Sequence, residues 1–436
     1  MTLEDYLYEQ NVHWLGNKHE AGTERDLLQP LLPFVNVDHV LAISGVRRCG
    51  KSFLMKQLIN SLIQHGAPAQ NILFANLELP GFFGRPAAEM LDELWNTYHT
   101  IKNPDGRIYL FLDEIQTLPG WEQWVKYHYD LHKGKLKIFI TGSNSYLLST
   151  EFATLLSGRI IEKKLYPFAL SEILRFLGVE YQDRQALSLN RNRIKNILNA
   201  YLQEGGMPEL LAAKTNEMKR ELLTSYFNTI IYKDIIPRFS VRHSGLLKEV
   251  ALYLSGQTGS MINIKKLADI FQSNRNTITE FISFLQLSFL LLLLNKFDFS
   301  AKRRQLALRK SFVIDNGFAT FLPLRFSPDR GELLENLVCI ELMRRHGEIF
   351  YWKDHNECDF IIYNPQQSSQ AIQVCYELDE MNRNRELAGL KSGCDYLNLK
   401  QGLILTYDQT DQFIHNGIQV NVIPVYEWLL NPSTKS

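Results

Sequence analysis

The sequence predicts an α/β protein whose first half is built on a mainly parallel β-sheet with helices on both faces. Between residues 38 and 165, short apolar runs alternate with amphipathic stretches, which is the pattern of successive βαβ units. The pattern turns helical from about 167 to 255, and strand-like runs return between 326 and 430. These observations indicate a parallel α/β domain, a helical section and a second α/β domain.

The composition excludes several classes of protein. The 436 residues are 45% hydrophobic and 22% charged with a formal net charge of +0, so no overall basic balance points to nucleic acid. The start of the chain lacks the pattern of a signal peptide, and the most apolar stretch, 284–294, is too short to span a bilayer. Five cysteines without a C-x-x-C pair argue against a zinc site or a disulfide framework and favour the cytoplasm.

A phosphate-binding loop is predicted between the apolar run HVLAIS and the helix-like run KSFLMKQLINSLI. The segment Gly45–Ser52 matches the pattern G-x-x-x-x-G-K-[ST]. Its glycines allow backbone N–H groups to surround phosphates, Lys51 would reach the β- and γ-phosphates of ATP, and Ser52 would hold Mg²⁺. The residues expected to contact the nucleotide are Gly45, Val46, Arg47, Arg48, Cys49, Gly50, Lys51, Ser52 and Phe53.

An acidic pair follows the strand-like run 108–112. Asp113 and Glu114 would lie at the carboxyl edge of the sheet, where ligands of parallel sheets bind. A buried carboxylate is unfavourable without a partner, and Mg²⁺ would be that partner. We expect Asp113 to orient the metal and Glu114 to act as the general base that polarises the attacking water.

Two further segments supply candidates for the same site. Asn144 or Ser143, in the segment TGSN, could contact the γ-phosphate or the attacking water, and an ordinary strand-to-helix turn explains the segment equally well. Arg159, in the segment LSGRI, could stabilise transition-state charge from the same chain or from a neighbouring copy. A surface salt bridge is the alternative for Arg159.

Six strings of the sequence carry a resemblance to a known family: GVRRCGKS, LFLDEIQ, ITGSN, LLSGRI, YPFALSEIL and YLQEGGMPE. They resemble the bacterial and archaeal AAA+-like ATPases that carry a C-terminal domain of unknown function, from about Glu24 to about Glu377. The resemblance implies a P-loop NTPase fold with an additional strand and a catalytic glutamate, with ATP and Mg²⁺ as ligands. The implied nucleotide residues are Lys51, Ser52, Asp113, Glu114, Asn144 and Arg159.

Residues 256–325 resemble a winged helix. The spacing of apolar residues predicts two short helices, the second with Ser273 as its N-cap, followed by apolar strands with the basic connection 302–304. In a DNA-binding winged helix, residues 274–277 would read the groove and the basic connection would contact phosphates. A protein-binding module with a solvated basic hairpin is the alternative.

The last part of the chain resembles the core of the PD-(D/E)XK nucleases. Glu335 on a helix, Asp359 on a strand and Gln373 on the next strand fit the positions of the metal-binding residues. The lysine position holds Cys375, which cannot supply a fixed positive charge, and the amide of Gln373 is a poorer ligand for Mg²⁺ than a carboxylate. The sequence therefore favours an inactive, nuclease-like core.

These patterns predict five parts and one main function. The parts are an N-terminal extension (1–23), a P-loop ATPase domain (24–178), a helical section (179–255), a winged-helix-like section (256–325) and a nuclease-like domain (326–436). The predicted protein is an Mg²⁺-dependent ATPase that couples nucleotide state to a DNA- or protein-binding C-terminal half. An ATP-gated DNA nuclease and a non-hydrolysing nucleotide switch are the alternatives. No membrane partner is expected, and homo-oligomer formation stays open.

Overall fold

The chain forms two compact units, residues 1–165 (unit 1) and 166–436 (unit 2). The computed structural model describes residues 2–78, 85–143, 156, 158–323, 328–366 and 368–431. Across these described residues, no helix has the length and apolarity needed to cross a membrane.

Unit 1 contains a five-stranded sheet in which all neighbouring strands are parallel, with the order β2-β3-β4-β1-β5. Strand β4 lies between β1 and β3, and this position confirms the expected additional strand. Most positions of β1 to β4 are buried because helices cover both faces of the sheet. The strands are β1 (Val40–Ser44), β2 (Ile72–Asn76), β3 (Ile108–Asp113), β4 (Leu136–Gly142) and β5 (Ile160–Lys164).

The helices of unit 1 connect these strands and cover the sheet. Apolar residues of the fourth and fifth helices, including Leu94 and Val125, join the strand residues in one buried core. The helices are α1 (Leu3–Gln10), α2 (Leu28–Leu31), α3 (Lys51–Gln64), α4 (Ala87–Lys102) and α5 (Trp121–Leu131). The alternation of strands and helices therefore places every loop that follows a strand at one edge of the sheet.

The N-terminal segment covers the edge strand β2. The Asn11 amide donates to the Phe74 carbonyl at 2.9 Å and accepts from the Phe74 N–H at 2.7 Å, so a side chain takes the place of a neighbouring strand. Tyr6 in α1 donates its hydroxyl hydrogen to the Asn76 carbonyl at 2.5 Å. These bonds satisfy backbone groups that an open sheet edge would expose.

Unit 2 begins with helices and contains a nine-stranded sheet. This sheet takes strands from both the predicted winged-helix-like section and the predicted nuclease-like domain. The sheet order is β13-β14-β12-β11-β10-β9-β7-β8-β6. The strands are β6 (Ser260–Met261), β7 (Leu291–Lys296), β8 (Lys310–Val313), β9 (Phe350–Lys353), β10 (Glu357–Ile362), β11 (Gln370–Val374), β12 (Gln401–Thr406), β13 (Asp411–His415) and β14 (Ile418–Pro424).

The helices of unit 2 fall before, between and after these strands. A π-helix, Ile230–Ile235, continues directly from α8 into α9. The helices are α6 (Leu170–Phe176), α7 (Arg184–Glu204), α8 (Asn216–Thr229), α9 (Ile236–Phe239), α10 (Ser244–Ser255), α11 (Ile264–Ile270), α12 (Arg275–Leu287), α13 (Ala301–Leu306), α14 (Asn316–Phe321), α15 (Arg330–His346), α16 (Arg383–Leu397) and α17 (Val425–Leu430).

The section predicted to resemble a winged helix contains α11, α12 and an antiparallel arrangement of β6, β7 and β8. Two details differ from the expectation. The N-cap of α12 is Asn274 rather than Ser273, because the Asn274 side chain accepts a hydrogen bond from the Thr277 N–H at 2.8 Å. The basic connection between β7 and β8 forms a short helix, α13, which begins after Ser300.

The string YLQEGGMPE contains a turn that only glycine can form. Gly205 has φ +80 and ψ −171, a conformation that is essentially restricted to glycine, and a Cβ there would lie 1.8 Å from Asp315 Oδ1. The Asp315 carboxylate accepts from the Gly206 N–H at 2.6 Å and from the Gly317 N–H at 2.9 Å. The glycine pair therefore gives Asp315 room to connect this turn to the start of α14.

Replacing Gly205 with alanine is expected to destabilise unit 2 strongly, because both backbone strain and overlap with Asp315 result. The expected loss is about 3 kcal/mol or more by urea denaturation. Gly178 is the matched control, since its φ is +62 but no atom lies within 4 Å of its Cβ position. Gly178→Ala should therefore lose only about 1 kcal/mol. Equal losses in the two variants would show that the Asp315 contact does not matter.

Candidate nucleotide-binding site

The predicted phosphate-binding loop connects the end of β1 to the start of α3. Two of its backbone positions, Arg48 with φ 68 and Gly50 with φ 100, have left-handed conformations. A Cβ at Gly45 would lie 2.2 Å from the Leu165 carbonyl oxygen, so a larger residue does not fit there. The loop thus curls tightly at the N-terminus of a 14-residue helix, where backbone N–H groups and the helix dipole favour an anion.

Lys51 is the first residue of α3, and only 3% of its side chain is exposed. Its ammonium donates to the Gly45 carbonyl at 3.1 Å and lies 3.3 Å from Glu114 Oε1. Burial alone would lower the pKa of Lys51, but the Glu114 carboxylate raises it above its usual value. The lysine therefore presents a fixed positive charge at the loop.

Asp113 ends β3 and is fully buried. Its Oδ1 accepts a hydrogen bond from the Thr141 hydroxyl at 2.5 Å, whereas its Oδ2 is buried without a hydrogen-bond partner. Burial, followed by the charge of Glu114, raises the pKa of Asp113 to about 6. A cation near Oδ2 would satisfy this oxygen and favour the ionised form, so the residues present fit Mg²⁺.

Glu114 has the backbone angle φ 54, which is left-handed and uncommon for a residue with a side chain. Its N–H donates to the Thr141 hydroxyl oxygen at 2.9 Å, and its Oε2 accepts from the Gln116 amide at 2.5 Å. Burial raises the pKa of Glu114, but the positive charges of Lys51 and Arg47 lower it below its usual value. Glu114 is therefore an oriented and ionised carboxylate, as a general base requires.

Sequence reasoning missed two residues of this site, Thr141 and Gln116. Thr141 contacts both acidic residues from β4, and Gln116 also donates to the Ser143 hydroxyl oxygen at 3.2 Å. The segment TGSN predicts a group that faces the nucleotide, and its pattern does not indicate a threonine that positions the acidic pair. The predicted Asn144 lies outside the described residues.

Arg159 is not brought to the phosphate-binding loop of its own chain. It precedes β5, whose register pairs Val40 with Ile160, so Arg159 lies at the start of β1 and the loop lies at its end. Its Nε donates to Asp130 Oδ1 at 3.1 Å, which is the alternative contact expected from the sequence. A catalytic role for Arg159 stays a prediction, and it requires a neighbouring copy of the chain.

The remaining loop residues differ in what their side chains can reach. Arg47 pairs with Glu78 at 2.6 Å. Val46 and Cys49 are fully buried, so only their backbone groups are available to a ligand. Phe53 is 48% exposed, and its ring lies 3.2 Å from the Cβ position of Gly22. These side chains shape the loop, while the anion-binding groups belong to the backbone and Lys51.

A groove of about 450 Å³ lies beside the residues predicted to hold Mg²⁺. Ser52 and Asp113 line it together with Asn76 and residues of the N-terminal segment. The groove therefore reaches the predicted magnesium site, although Asp113 itself is buried.

The structure also brings the three predicted nuclease-like residues together. Glu335 on α15 and Asp359 on β10 both contact the ammonium of Lys310, a residue that the sequence analysis missed. The side chain of Gln373 on β11 accepts from the Asp359 backbone N–H at 3.3 Å and donates to Glu386 Oε2 at 2.7 Å. Among the residues that the structure describes, no three histidine, cysteine or acidic side chains are placed to hold a metal ion.

Comparison with family models divides the chain into three segments. Residues 37–174 match the model described as an AAA domain. Residues 195–330 match the domain of unknown function DUF8612, and residues 330–428 match the domain of unknown function DUF4143. The AAA match includes the phosphate-binding loop and both acidic residues.

The chain is only weakly similar to two solved structures, those of DnaA and RuvB. AMPPCP-bound DnaA from Aquifex aeolicus is 15% identical with a TM-score of 0.26, covering 60% of this chain and 86% of that chain. A single-residue variant of RuvB from Thermotoga maritima is 18% identical with a TM-score of 0.26, covering 66% and 88%. At such TM-scores neither likeness carries an argument about this chain.

Two full-length relatives are much more similar. An uncharacterized protein of Methanocaldococcus jannaschii is 32% identical over 428 residues, covering 93% of this chain and 90% of the relative. An uncharacterized protein of Haemophilus influenzae is 32% identical over 422 residues, covering 94% and 98%. This chain belongs to the same family as these two proteins, and it is an AAA+-like P-loop ATPase with a C-terminal domain of unknown function.

Proposed function

We propose that the protein hydrolyses ATP in an Mg²⁺-dependent reaction. The observation that carries this proposal is the buried group of Lys51, Asp113 and Glu114 at the carboxyl edge of the sheet. Three groups adjoin the phosphate-binding loop: the ammonium of Lys51, the unsatisfied Oδ2 of Asp113 and the ionised carboxylate of Glu114. The choice of ATP over GTP rests on the family resemblance.

The residues have separate tasks in this mechanism. Backbone N–H groups of the loop bind the β-phosphate, and Lys51 neutralises charge on the β- and γ-phosphates. Ser52 and Asp113 would hold Mg²⁺, which supplies positive charge to the phosphate oxygens. Glu114 accepts the proton of the attacking water.

Two uncharged side chains support this chemistry by positioning the acidic pair. The Thr141 hydroxyl donates to Asp113 and accepts from the Glu114 backbone, so it fixes the relative placement of the two carboxylates. Gln116 holds the Glu114 carboxylate in one orientation. Release of phosphate from Mg-ATP by wild-type and Glu114→Gln proteins, with and without duplex DNA, tests the ATPase.

We further propose that the winged-helix-like section binds DNA. The N-terminal residues of α12, Asn274, Arg275 and Asn276, are exposed, and Lys302 extends into solvent from α13. In a DNA-binding winged helix, polar and basic groups at the start of the second helix, here α12, would contact base edges. The basic helix α13 would contact phosphates. A protein partner for the same surface is the alternative.

Fluorescence anisotropy with a duplex oligonucleotide at two salt concentrations tests DNA binding. Replacing both Arg275 and Asn276 with alanine should weaken binding by about tenfold or more, because side chains that contact bases or phosphates are lost. Lys400→Ala is the control, since it removes an exposed positive charge elsewhere in unit 2. Equal affinity of the double variant and wild type would direct the search to protein partners.

A further inference from the structure

One lysine lies at the centre of the three acidic residues of the nuclease-like core. Lys310 Nζ is 2.7 Å from Glu335 Oε1, 2.7 Å from Glu357 Oε1 and 3.5 Å from Asp359 Oδ1. Only 4% of the lysine side chain is exposed. Burying an ammonium or a carboxylate is costly unless an opposite charge lies beside it, so the buried ammonium and its three carboxylates depend on one another.

The backbone holds Lys310 in this place. The residue starts β8 and pairs with Met261 of β6 on one side and with Leu294 of β7 on the other. Its carboxylate partners come from α15 and β10, so elements distant in sequence converge on one ammonium group. Lys310 is therefore not a mobile surface side chain that could leave the carboxylates without disturbing the sheet.

The cluster contains a second cation, but it reaches only one of the three carboxylates. Lys353 Nζ lies 2.9 Å from Glu357 Oε2, so Glu357 contacts two ammonium groups. Burial alone would lower the pKa of Lys310, but Glu335 and Asp359 raise it well above its usual value. Lys310 is therefore the ammonium shared by Glu335 and Asp359.

The same oxygens would have to hold Mg²⁺ in an active nuclease, and the residues present do not fit that ion. Magnesium needs several oxygen ligands at short distances and retains bound water, whereas the Lys310 ammonium already contacts Glu335 and Asp359. Asp359 Oδ2 accepts from the Val374 N–H at 2.9 Å, and the Gln373 amide is bonded to Glu386. The cysteine at the usual lysine position, Cys375, is a buried thiol.

We propose that Lys310 is the resident cation of the C-terminal core, taking the place of a divalent metal between Glu335 and Asp359. The wild-type core then binds no divalent metal and hydrolyses no phosphodiester. Removing the ammonium leaves Glu335 and Asp359 without their shared cation and creates a divalent-metal site. This proposal concerns unit 2 alone and does not depend on the ATPase activity of unit 1.

The test measures binding of Mn²⁺ alone to full-length protein without nucleotide, by electron paramagnetic resonance. In wild type, Asp359→Asn should change nothing, because Asp359 holds no metal there. Lys310→Met should gain a site that binds Mn²⁺ at least about tenfold more tightly than any background binding, since Glu335 and Asp359 lose the ammonium that they share. The double variant Lys310→Met, Asp359→Asn should lose the gained site, and Lys310→Arg should not acquire it.

The wild-type comparison decides the question even if Lys310→Met fails to fold. A wild-type Mn²⁺ site that disappears in Asp359→Asn would overturn the proposal, as would Mn²⁺-dependent cleavage of duplex DNA that Asp359→Asn abolishes. A folded Lys310→Met protein without the new site would also overturn it. The phosphate-binding loop does not confuse these results, because its residues are unchanged in every variant.

Discussion

Glu114→Gln is expected to bind Mg-ATP normally and to release phosphate about 10²- to 10⁴-fold more slowly than wild type, the usual contribution of a general base. Glutamine preserves the size of the side chain and can still occupy the space beside Lys51 and Gln116. It cannot accept the proton of the attacking water. The measurement is steady-state phosphate release together with equilibrium binding of a fluorescent ATP analogue.

Glu89→Gln is the matched control for this variant. Glu89 is an exposed residue of α4, and its replacement should leave turnover unchanged. If Glu114→Gln protein turned over ATP at the wild-type rate, the general-base role would have to be reassigned. Loss of binding instead of turnover would indicate that Glu114 acts mainly through its ion pair with Lys51.

Lys51→Ala is expected to weaken ATP binding by about 100-fold or more, because a charge-assisted contact of roughly 2–3 kcal/mol is removed from a buried site. A second effect follows from the structure. Burial raises the pKa of Glu114, and the positive charge of Lys51 is the largest effect that lowers it. The pKa of Glu114 should therefore be higher in Lys51→Ala than in wild type. Turnover at saturating ATP should then fall most steeply on the acidic side of neutrality.

Titration of ATP by calorimetry measures the first effect, and pH profiles of turnover measure the second. Lys133→Ala removes an exposed lysine of unit 1 beyond α5 and serves as the control. Lys51→Arg keeps the charge and should keep more affinity than Lys51→Ala. Wild-type affinity in Lys51→Ala would contradict the placement of the nucleotide at this loop.

The fold of unit 1 could be predicted closely from the sequence because its strands are continuous apolar runs. The predicted run HVLAIS contains the observed strand Val40–Ser44, and the predicted run 108–112 lies within the observed strand Ile108–Asp113. A strand that is buried on both faces needs apolar residues at every position, and this requirement makes the pattern easy to identify. The phosphate-binding loop was predictable for a similar reason, since its residues are contiguous.

The residues that were not predicted owe their roles to contacts between distant segments. Lys310 precedes Asp359 by 49 positions, and their meeting depends on the order of strands in a nine-stranded sheet. In the sequence, Lys310 follows the basic connection 302–304, and no local pattern indicates its carboxylate partners. Thr141 was likewise hidden, because its contacts with Asp113 and Glu114 arise only when β4 lies beside β3.

The nine-stranded sheet also limits how the protein can be shortened. Strand β7 pairs with β9 through Asn295 with Phe350 and through Lys296 with Tyr351, and the Phe297 N–H donates to the Tyr351 carbonyl at 2.7 Å. A fragment that ended at residue 325 would retain β7 and β8 but lose β9, leaving one edge of β7 open and favouring aggregation. Deletion studies of this family should therefore keep residues 166–436 together, because a failed fragment would report a broken sheet rather than a missing activity.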